Sequence, residues 1–293
     1  MSESSSLGDV SSLIGGPAPA GSAIALYNSP SPTYADKVHA TIELLKAAAI
    51  EHDGKVVQAT SLGVEDMIVT DLIARYRLPI AIGTLETGAL NPETASLIGT
   101  IETHYADMGI HVEVYKPVKE AVIEFVQKNG EKAMYESIDL RKACCGIRKL
   151  EPLSRMLAER TAWITGLRRE QSNNRGDMAA REQDDKGRAK FNPMIDWTWG
   201  DVWHYVSVNH VPYNPLHDQF MPSIGCAPCT RAIAVGEDFR AGRWWWEDES
   251  KKECGLHVKS HSSAETSAPG SRSETVPFAS AQAHIGNADV KGA

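Results

Sequence analysis

The chain has 293 residues, 42% of them hydrophobic, and its 38 acidic against 30 basic residues give a formal net charge of -8. That length and apolar content are enough to build the core of an enzyme-sized globular protein. The acidic balance opposes non-specific attraction to nucleic acid, and no apolar run approaches the roughly 18 residues that span a bilayer. We therefore expect neither a nucleic-acid partner nor a membrane location.

The two ends of the chain differ in composition from its middle. Residues 1–33 and 259–293 are rich in small and polar residues and lack hydrophobic periodicity, as is typical of disordered tails. The N-terminus also lacks the cationic region of a secretory signal, because the first basic residue is Lys37. These features predict one folded domain over residues 34–258, between two disordered tails, in a cytoplasmic protein.

Strand-like and helix-like segments alternate from residue 55 onward. The strand-like segments are "KVVQAT" (55–60), "LPIAIGTL" (78–85) and "HVEVYKP" (111–117), and the helix-like ones are "VEDMIVTDLIARY" (64–76), a segment starting near Pro92, and "KEAVIEFVQKNG" (119–130). Single helices between strands predict an α/β fold with a mainly parallel sheet flanked by helices. Such sheets bind ligands beyond the carboxyl ends of their strands, which places the loops after residues 60 and 85 at the binding edge.

Four of the five cysteines form two tight pairs, Cys144 with Cys145 and Cys226 with Cys229. Adjacent residues on a helix point about 100° apart, so neighbouring thiolates would be strained around one tetrahedral zinc ion. A cluster of several irons offers separate corners, and four cysteine thiolates are what a [4Fe-4S] cluster takes. The spacing favours such a cluster, while zinc, a thioredoxin-like redox pair and unrelated buried cysteines remain alternatives.

Several segments around these cysteines resemble one enzyme family. They are "KACCGIRKLEPL", "AWITGLRREQS", "KFNPMIDWTWGDVWHY", "VPYNPLHDQ", "SIGCAPCTRAIAVGEDFRAGRWWWE" and "KECGLH". They resemble the assimilatory sulfonucleotide reductases, specifically the iron-sulfur adenylyl-sulfate (APS) reductases, and the likeness runs from about residue 35 to 258. The resemblance implies an adenine nucleotide alpha-hydrolase-like fold, and reduction of APS to sulfite and AMP with electrons from thioredoxin. Two departures are Glu86, where the family's usual residue is Asp, and Phe220-Met221 in place of Gly-Tyr.

The turn "TSLGVEDM" ends a predicted strand and opens a helix, so its backbone N–H groups could face an anion. We therefore take Ser61 and Gly63 as candidate substrate contacts. A plain strand-to-helix turn capped by Ser61 is the alternative.

Cations are concentrated in two further loops. Arg168, Arg169 and Arg175 follow the strand "TAWIT", and Arg240 and Arg243 lie in "EDFRAGR". Guanidinium groups suit phosphate and sulfate because they donate two parallel hydrogen bonds. Position at strand ends and the family resemblance favour substrate binding over a solvated charged loop.

Lys149 follows Cys145 by four residues and would share its face on a helix. It could then bridge cluster and substrate electrostatically. The alternative is a plain surface lysine.

The fifth cysteine, Cys254, lies near the end of the predicted domain. Because AMP is a good leaving group, the chemistry calls for a soft nucleophile and cations rather than a carboxylate pair. A Cys254 thiolate would displace AMP to give an S-sulfonate, which a thioredoxin thiol would resolve to sulfite. His257 is a candidate neighbour of this thiolate or a bystander.

Two other functions remain open at the level of sequence. One is a 3'-phospho-APS (PAPS) reductase that carries a cluster. The other is a zinc-stabilised nucleotide- or protein-binding module in which Cys254 has no role. The sequence does not decide the oligomeric state, and a homo-oligomer stays open.

Overall fold

A six-stranded β-sheet is the centre of the fold in the computed structural model, which describes residues 21–171 and 178–248. Its strands are β1 Val56–Thr60, β2 Ala81–Leu85, β3 Val112–Tyr115, β4 Ala162–Ile164, β5 Arg181–Gln183 and β6 Ala189–Phe191. Their order is β3-β2-β1-β4-β6-β5, and only the edge pair β5 and β6 is antiparallel. The predicted mainly parallel sheet is confirmed.

Eight α-helices accompany the sheet in the described residues. They are α1 Ala23–Tyr27, α2 Tyr34–Glu51, α3 Val64–Arg75, α4 Pro92–His104, α5 Lys119–Asn129, α6 Ile138–Cys145, α7 Glu151–Met156 and α8 Trp199–Asn209. The three helices predicted from periodicity correspond to α3, α4 and α5. Local signals set their ends: Pro92 occupies the start of α4, where its missing N–H costs nothing, and α5 stops at Gly130 with φ of 86°.

Helix α3 is the most deeply buried helix in the described structure. Every residue from Val64 to Ala74 is buried, because α3 packs between the sheet and α8. One carboxylate of this helix, Asp71, accepts three hydrogen bonds: from Tyr105 Oη at 2.9 Å, from Tyr205 Oη at 2.8 Å and from Arg75 Nε at 2.7 Å. Because the carboxylate is fully hydrogen-bonded, Asp71 can be buried without a large loss of stability.

The predicted N-terminal boundary at residue 33 needs correction. Residues 21–33 include α1, whose Ala23 is buried and donates its backbone N–H to Asp218 Oδ1 at 2.7 Å. The Ser31 backbone N–H donates to Asp201 Oδ1 at 2.6 Å. This segment packs because α1 covers α8, a long-range contact that local composition does not reveal. Residues 1–20 and 249–293, where the rest of the predicted tails fall, lie outside the described residues.

Strand β1 lies at the point where the strand order reverses. The chain continues from β1 to β2 and β3 on one side, and β4 lies on the other side. In open α/β sheets such a switch point leaves a crevice at the carboxyl ends of the two diverging strands. The loops after β1 and β4 therefore frame the expected ligand site.

Candidate functional site

The crevice at the carboxyl ends of β1, β2 and β4 holds a cavity of about 210 Å³. Its wall contains five of the residues predicted from sequence to bind substrate: Ser61, Gly63, Lys149, Arg240 and Arg243. Its wall also contains Trp244, together with groups that the sequence did not single out, namely Glu65, Asp66, Thr165, Gln171 and His217. The structure thus brings together residues that are up to 182 positions apart in the chain, from Ser61 to Arg243.

Hydrogen bonds to the side chains of Asp66 and His217 hold the turn after β1 in place. Leu62 has φ of 63°, a left-handed conformation that redirects the chain from strand into helix. Ser61 donates its backbone N–H and its Oγ to Asp66 Oδ2, both at 2.7 Å. The backbone N–H of Val64, at the start of α3, donates to His217 Nε2 at 3.2 Å. His217 therefore accepts at Nε2 and carries its proton on Nδ1.

Burial shifts the titration of two groups in this wall in opposite directions. Desolvation raises the pKa of Asp66 to about 6, against the lowering effect of the Ser61 hydrogen bonds. Desolvation lowers the pKa of His217 to about 4. At neutral pH the cavity wall thus combines a neutral imidazole with an ionised carboxylate.

Arg240 and Arg243 are held in the cavity wall by an aromatic ring and by the loop of the second cysteine pair. Both guanidinium groups lie over the ring of Trp244, at 5.9 Å and 4.7 Å from its centroid. Thr230 and Arg243 form an antiparallel bridge, and the Trp244 backbone N–H donates to Cys229 O at 3.3 Å. Gly225 permits this approach, since a Cβ there would lie 2.3 Å from Arg243 Nη2.

The other two predicted arginines in the described residues do not reach the cavity wall. Arg168 is fully buried and donates from Nε to Glu65 Oε1 at 2.8 Å and from Nη1 to Glu170 Oε2 at 2.9 Å. Arg169 lies at the surface and pairs with Asp196 at 2.9 Å. Carboxylates thus hold both guanidinium groups where the sequence predicted a phosphate or sulfate.

The first cysteine pair lies at a change in helix geometry. Cys144 and Cys145 end α6, and a π-helical turn over residues 146–150 then joins α6 to α7. A π-helical turn is rare and is frequently found at functional sites. Lys149 lies within this turn and not on the regular α-helical face that its spacing from Cys145 predicts.

All four paired cysteines line a second, smaller cavity of about 110 Å³. They are buried thiols, without a disulfide between them: Cys144, Cys145, Cys226 and Cys229. Within residues 21–171 and 178–248, no set of three or more His, Cys, Asp and Glu side chains is arranged to hold a metal ion. The four sulfurs therefore share one cavity.

Cations and a hydroxyl surround these thiols. Arg148 donates to Thr87 O at 2.7 Å, and Thr87 Oγ1 lies 3.3 Å from Cys226 Sγ. Burial raises the pKa of Cys226, but Lys149, Thr87 and nearby arginines outweigh it, so the net pKa is lowered. Burial raises the pKa of Cys229 to about 12. Of these two thiols, Cys226, which also lines the larger cavity, is thus the one whose thiolate is favoured.

The two cavities share part of their walls. Lys149, Cys226 and Trp244 line both. A group bound among the cysteines would therefore be in contact with the same lysine and indole that face a ligand in the larger cavity.

A buried ion pair closes the far side of the cysteine cavity. Arg141 Nε and Nη2 donate to the two carboxylate oxygens of Glu247 at 2.6 and 2.9 Å. Arg141 also lies over Trp244, 4.5 Å from the ring centroid. Nothing in the sequence marked this pair, because its partners are 106 residues apart.

Three residues that the sequence assigned to the site lie outside the described residues. These are Cys254, His257 and Arg175. In the described part of the chain, no helix is both long enough and apolar enough to cross a membrane.

The crevice at the switch point and the adjoining cavity of four cysteines define the class: an α/β protein with a ligand crevice at its sheet edge and a cysteine-lined centre beside it. The family model for the phosphoadenosine phosphosulfate reductase domain matches residues 55–232, and the chain belongs to this family of oxidoreductases.

Curated relatives agree over most of their length. An adenosine 5'-phosphosulfate reductase of Allochromatium vinosum is 52% identical, with 78% of this chain and 88% of that protein covered. The proteins of the same name from Burkholderia cepacia and Neisseria meningitidis serogroup A are 49% and 50% identical, covering 78% and 68% of this chain and 90% and 81% of theirs.

A solved structure gives the same fold. The crystal structure of a phosphoadenylyl-sulfate reductase from Candida auris, a phosphate complex, matches with a TM-score of 0.53 and 26% identity, over 64% of this chain and 88% of that one. The expected adenine nucleotide alpha-hydrolase-like fold is confirmed.

Proposed function

We propose that the protein reduces adenylyl sulfate (APS) to sulfite and AMP in assimilatory sulfate reduction. The observation that carries this proposal is the wall shared by the two cavities, where Lys149 and Cys226 line both the crevice at the switch point of the sheet and the cavity of the paired cysteines. The common name of the three relatives supports APS as the sulfonucleotide.

A [4Fe-4S] cluster is the cofactor we assign to the cysteine cavity. The donor set fits it: four buried thiols line one cavity. The ligands would be Cys144, Cys145, Cys226 and Cys229. When bound, the cluster supplies a covalent tie between the two cysteine pairs and an electrostatic field at the shared wall.

Three cations in the wall of the larger cavity bind the anionic groups of the substrate. Lys149, Arg240 and Arg243 are placed to neutralise oxygens of the phosphate and sulfate groups, which raises the electrophilicity of the sulfate sulfur. Their position beside the cysteine cavity directs the sulfate end of the substrate toward that wall. The nucleoside then extends toward the loops after β1 and β4.

Cys254 is the nucleophile in this proposal. Its thiolate forms a bond to the sulfate sulfur, the bond from sulfur to the AMP oxygen breaks, and AMP leaves with that electron pair. A thiolate of thioredoxin then attacks Cys254 Sγ and releases sulfite; its second thiol resolves the mixed disulfide and restores Cys254. The two electrons come from oxidation of one dithiol to a disulfide.

The end of the described chain is compatible with this role. Glu247 is fixed by Arg141 beside the cysteine cavity, seven residues before Cys254. Seven residues extend at most about 25 Å, so Cys254 is tethered within that distance of Glu247. We place the reaction in the cytoplasm, where thiols stay reduced.

The deciding experiment is sulfite release from APS and from PAPS by anaerobically purified protein with thioredoxin, alongside iron, zinc and acid-labile sulfide analysis. We expect sulfite and AMP from APS, about four irons per chain, and a kcat/KM for APS at least about tenfold above that for PAPS. A higher kcat/KM with PAPS would make the protein a PAPS reductase. Zinc without iron, and no sulfite from either, would favour a zinc-stabilised binding module.

The nucleophile is tested separately with Cys254→Ser. We expect no turnover, an unchanged iron content and unchanged AMP affinity, because Cys254 is not one of the four paired thiols. Mass spectrometry of the wild type incubated with APS and no reductant should show a sulfonate on Cys254. An adduct on another cysteine, or full activity of the variant, would contradict the assignment.

A further inference from the structure

Two arginines near the larger cavity are held by chemically different partners. Carboxylates hold Arg168, which donates to Glu65 at 2.8 Å and to Glu170 at 2.9 Å. Arg243 lies over an indole, with its Cζ 4.7 Å from the centroid of the Trp244 ring. A carboxylate cancels the charge of a guanidinium, whereas the electron-rich face of an indole attracts the cation and leaves its charge in place. The ring can therefore hold Arg243 without neutralising it.

The hydrogen bonds of the Arg243 guanidinium to its own loop are long. Its Nη1 donates to Ser223 Oγ at 3.4 Å and to Ile224 O at 3.2 Å, and both acceptors are neutral oxygen atoms. Bonds of this length orient a guanidinium weakly. The contact with the Trp244 ring therefore adds to its positioning.

The backbone of Trp244 is in an uncommon conformation. Its φ is 43°, in the left-handed region, where a bulky residue is a rare exception and indicates a functional constraint. Arg243, the residue before it, forms an antiparallel bridge with Thr230. In an extended chain successive side chains point to opposite faces. The left-handed turn at Trp244 breaks this alternation, and the two neighbouring side chains stack on each other.

The Trp244 ring lies at the boundary between the two cavities. Arg243 lines the larger cavity, Arg141 lines the cysteine cavity, and Trp244 lines both. The Arg141 guanidinium is 4.5 Å from the ring centroid, so the ring attracts one guanidinium from each compartment. The indole is 1% exposed, and the Trp244 backbone N–H donates to Cys229 O at 3.3 Å. These contacts fix the ring on the cysteine side and present its stacked cation to the larger cavity.

We propose that Trp244 is a positioning residue for the reaction: its indole holds the charged guanidinium of Arg243 toward the anionic end of the sulfonucleotide. This inference rests on the proposed function, in which Arg243 binds the substrate. It gives Trp244 a role that acts through Arg243, beyond the filling of space between two cavities.

The test is a double-mutant cycle on kcat/KM for APS, with wild type, Trp244→Leu, Arg243→Met and the double variant at equal iron content. We expect Trp244→Leu to lower kcat/KM at least about fivefold, the factor that about 1 kcal/mol of lost cation–π attraction gives. In the Arg243→Met background the same substitution should change kcat/KM less than about twofold, because the cation that the ring holds is gone. Effects of the two substitutions that simply multiply would overturn the proposal, since a purely structural role of Trp244 does not depend on Arg243.

Two further variants separate the ring from general packing. Trp246→Leu changes a half-buried tryptophan outside both cavity walls and should leave kcat/KM within about twofold of wild type. Trp244→Phe keeps a smaller aromatic face, so it should retain more activity than Trp244→Leu and lose its effect in the Arg243→Met background. Equal losses in Trp246→Leu and Trp244→Leu would refute the positioning role. A phenylalanine effect that multiplies with that of Arg243→Met would refute it even if the leucine variant does not fold.

Failure of the proposed function is distinguished by the assay. A wild type that releases no sulfite from APS or PAPS would reject the reaction, and the same cycle would then be measured on AMP affinity by calorimetry. A loss of AMP affinity in Trp244→Leu that disappears in the Arg243→Met background supports the role of Trp244. Independent effects on AMP affinity, or no loss in Trp244→Leu, overturn it.

Discussion

The buried pair of Arg141 and Glu247 gives the sharpest stability prediction. The two side chains are 0% and 3% exposed, and their two hydrogen bonds of 2.6 and 2.9 Å form a bidentate contact. In Arg141→Met the carboxylate of Glu247 would stay buried without its cation. Removing one partner of a buried pair costs about 3 to 5 kcal/mol.

That cost translates into a large thermal shift. In a domain of this size 1 kcal/mol corresponds to about 2 to 4 °C, so the apparent Tm of Arg141→Met should fall by about 6 to 20 °C. A second substitution, Glu247→Leu, removes the orphaned charge. The double variant should therefore recover at least half of the loss.

The assay is circular dichroism at a fixed heating rate, on samples of equal iron content. The control is Arg231→Met, because Arg231 and Glu237 form a bidentate pair with both contacts at 2.8 Å but with side chains 37% and 34% exposed. An exposed pair contributes about 1 kcal/mol or less, so this variant should stay within about 4 °C of wild type. A fall in Arg141→Met no larger than in Arg231→Met would refute the reasoning.

Three further predictions test the site and the chain ends. Lys149→Met should lower kcat/KM for APS by about 10- to 150-fold, which corresponds to the loss of one charge-assisted hydrogen bond. The control is Lys142→Met, which changes an exposed lysine on α6 and should alter kcat/KM less than twofold. Equal effects of the two substitutions would show that Lys149 is not part of the site. Between about pH 4 and 6 the raised pKa of Asp66 makes stability fall as pH rises, while the lowered pKa of His217 makes it rise, each by about 3 kcal/mol. The two contributions oppose each other in the wild type. When the pH is lowered from 6.5 to 4.5, the urea midpoint of Asp66→Asn should therefore fall more than that of the wild type, and the urea midpoint of His217→Asn should fall less. Parallel pH profiles of the three proteins would contradict the two pKa shifts. Removal of residues from about 261 onward should leave sulfite release near the wild-type rate, because a segment of that composition contributes little to a core, and a large loss of turnover would show that the segment acts at the site.

The sheet and its first helices were predictable because their signals are local. Alternation of short apolar runs with helical periodicity marks β1, α3 and β2 within a few residues of one another. The parallel pairing of β1 with β2 and of β2 with β3 also follows from the single helices that join these strands. The packing of α1 on α8 was not predictable, because neither segment alone reveals its partner.

The site was predictable where chemistry depends on residue type, and less so where it depends on distant partners. The paired cysteines were found by spacing. Arg168 pairs with Glu65, which lies 103 residues earlier in the chain, and the sequence of a loop rich in arginines does not reveal this pairing. Likewise, His217 accepts a hydrogen bond from the first backbone N–H of α3, although it lies 153 residues away in the chain. This N–H is one that the sequence predicted to face an anion.

The position of Trp244 has a practical consequence for spectroscopy. Its indole is 1% exposed, forms part of the boundary between the two cavities, and is surrounded by the guanidinium groups of Arg141, Arg240 and Arg243. Indole emission responds to nearby charge, and iron centres quench it over short distances. The fluorescence of this one tryptophan among the seven of the chain should therefore respond to a ligand in the larger cavity and to the proposed cluster in the cysteine cavity.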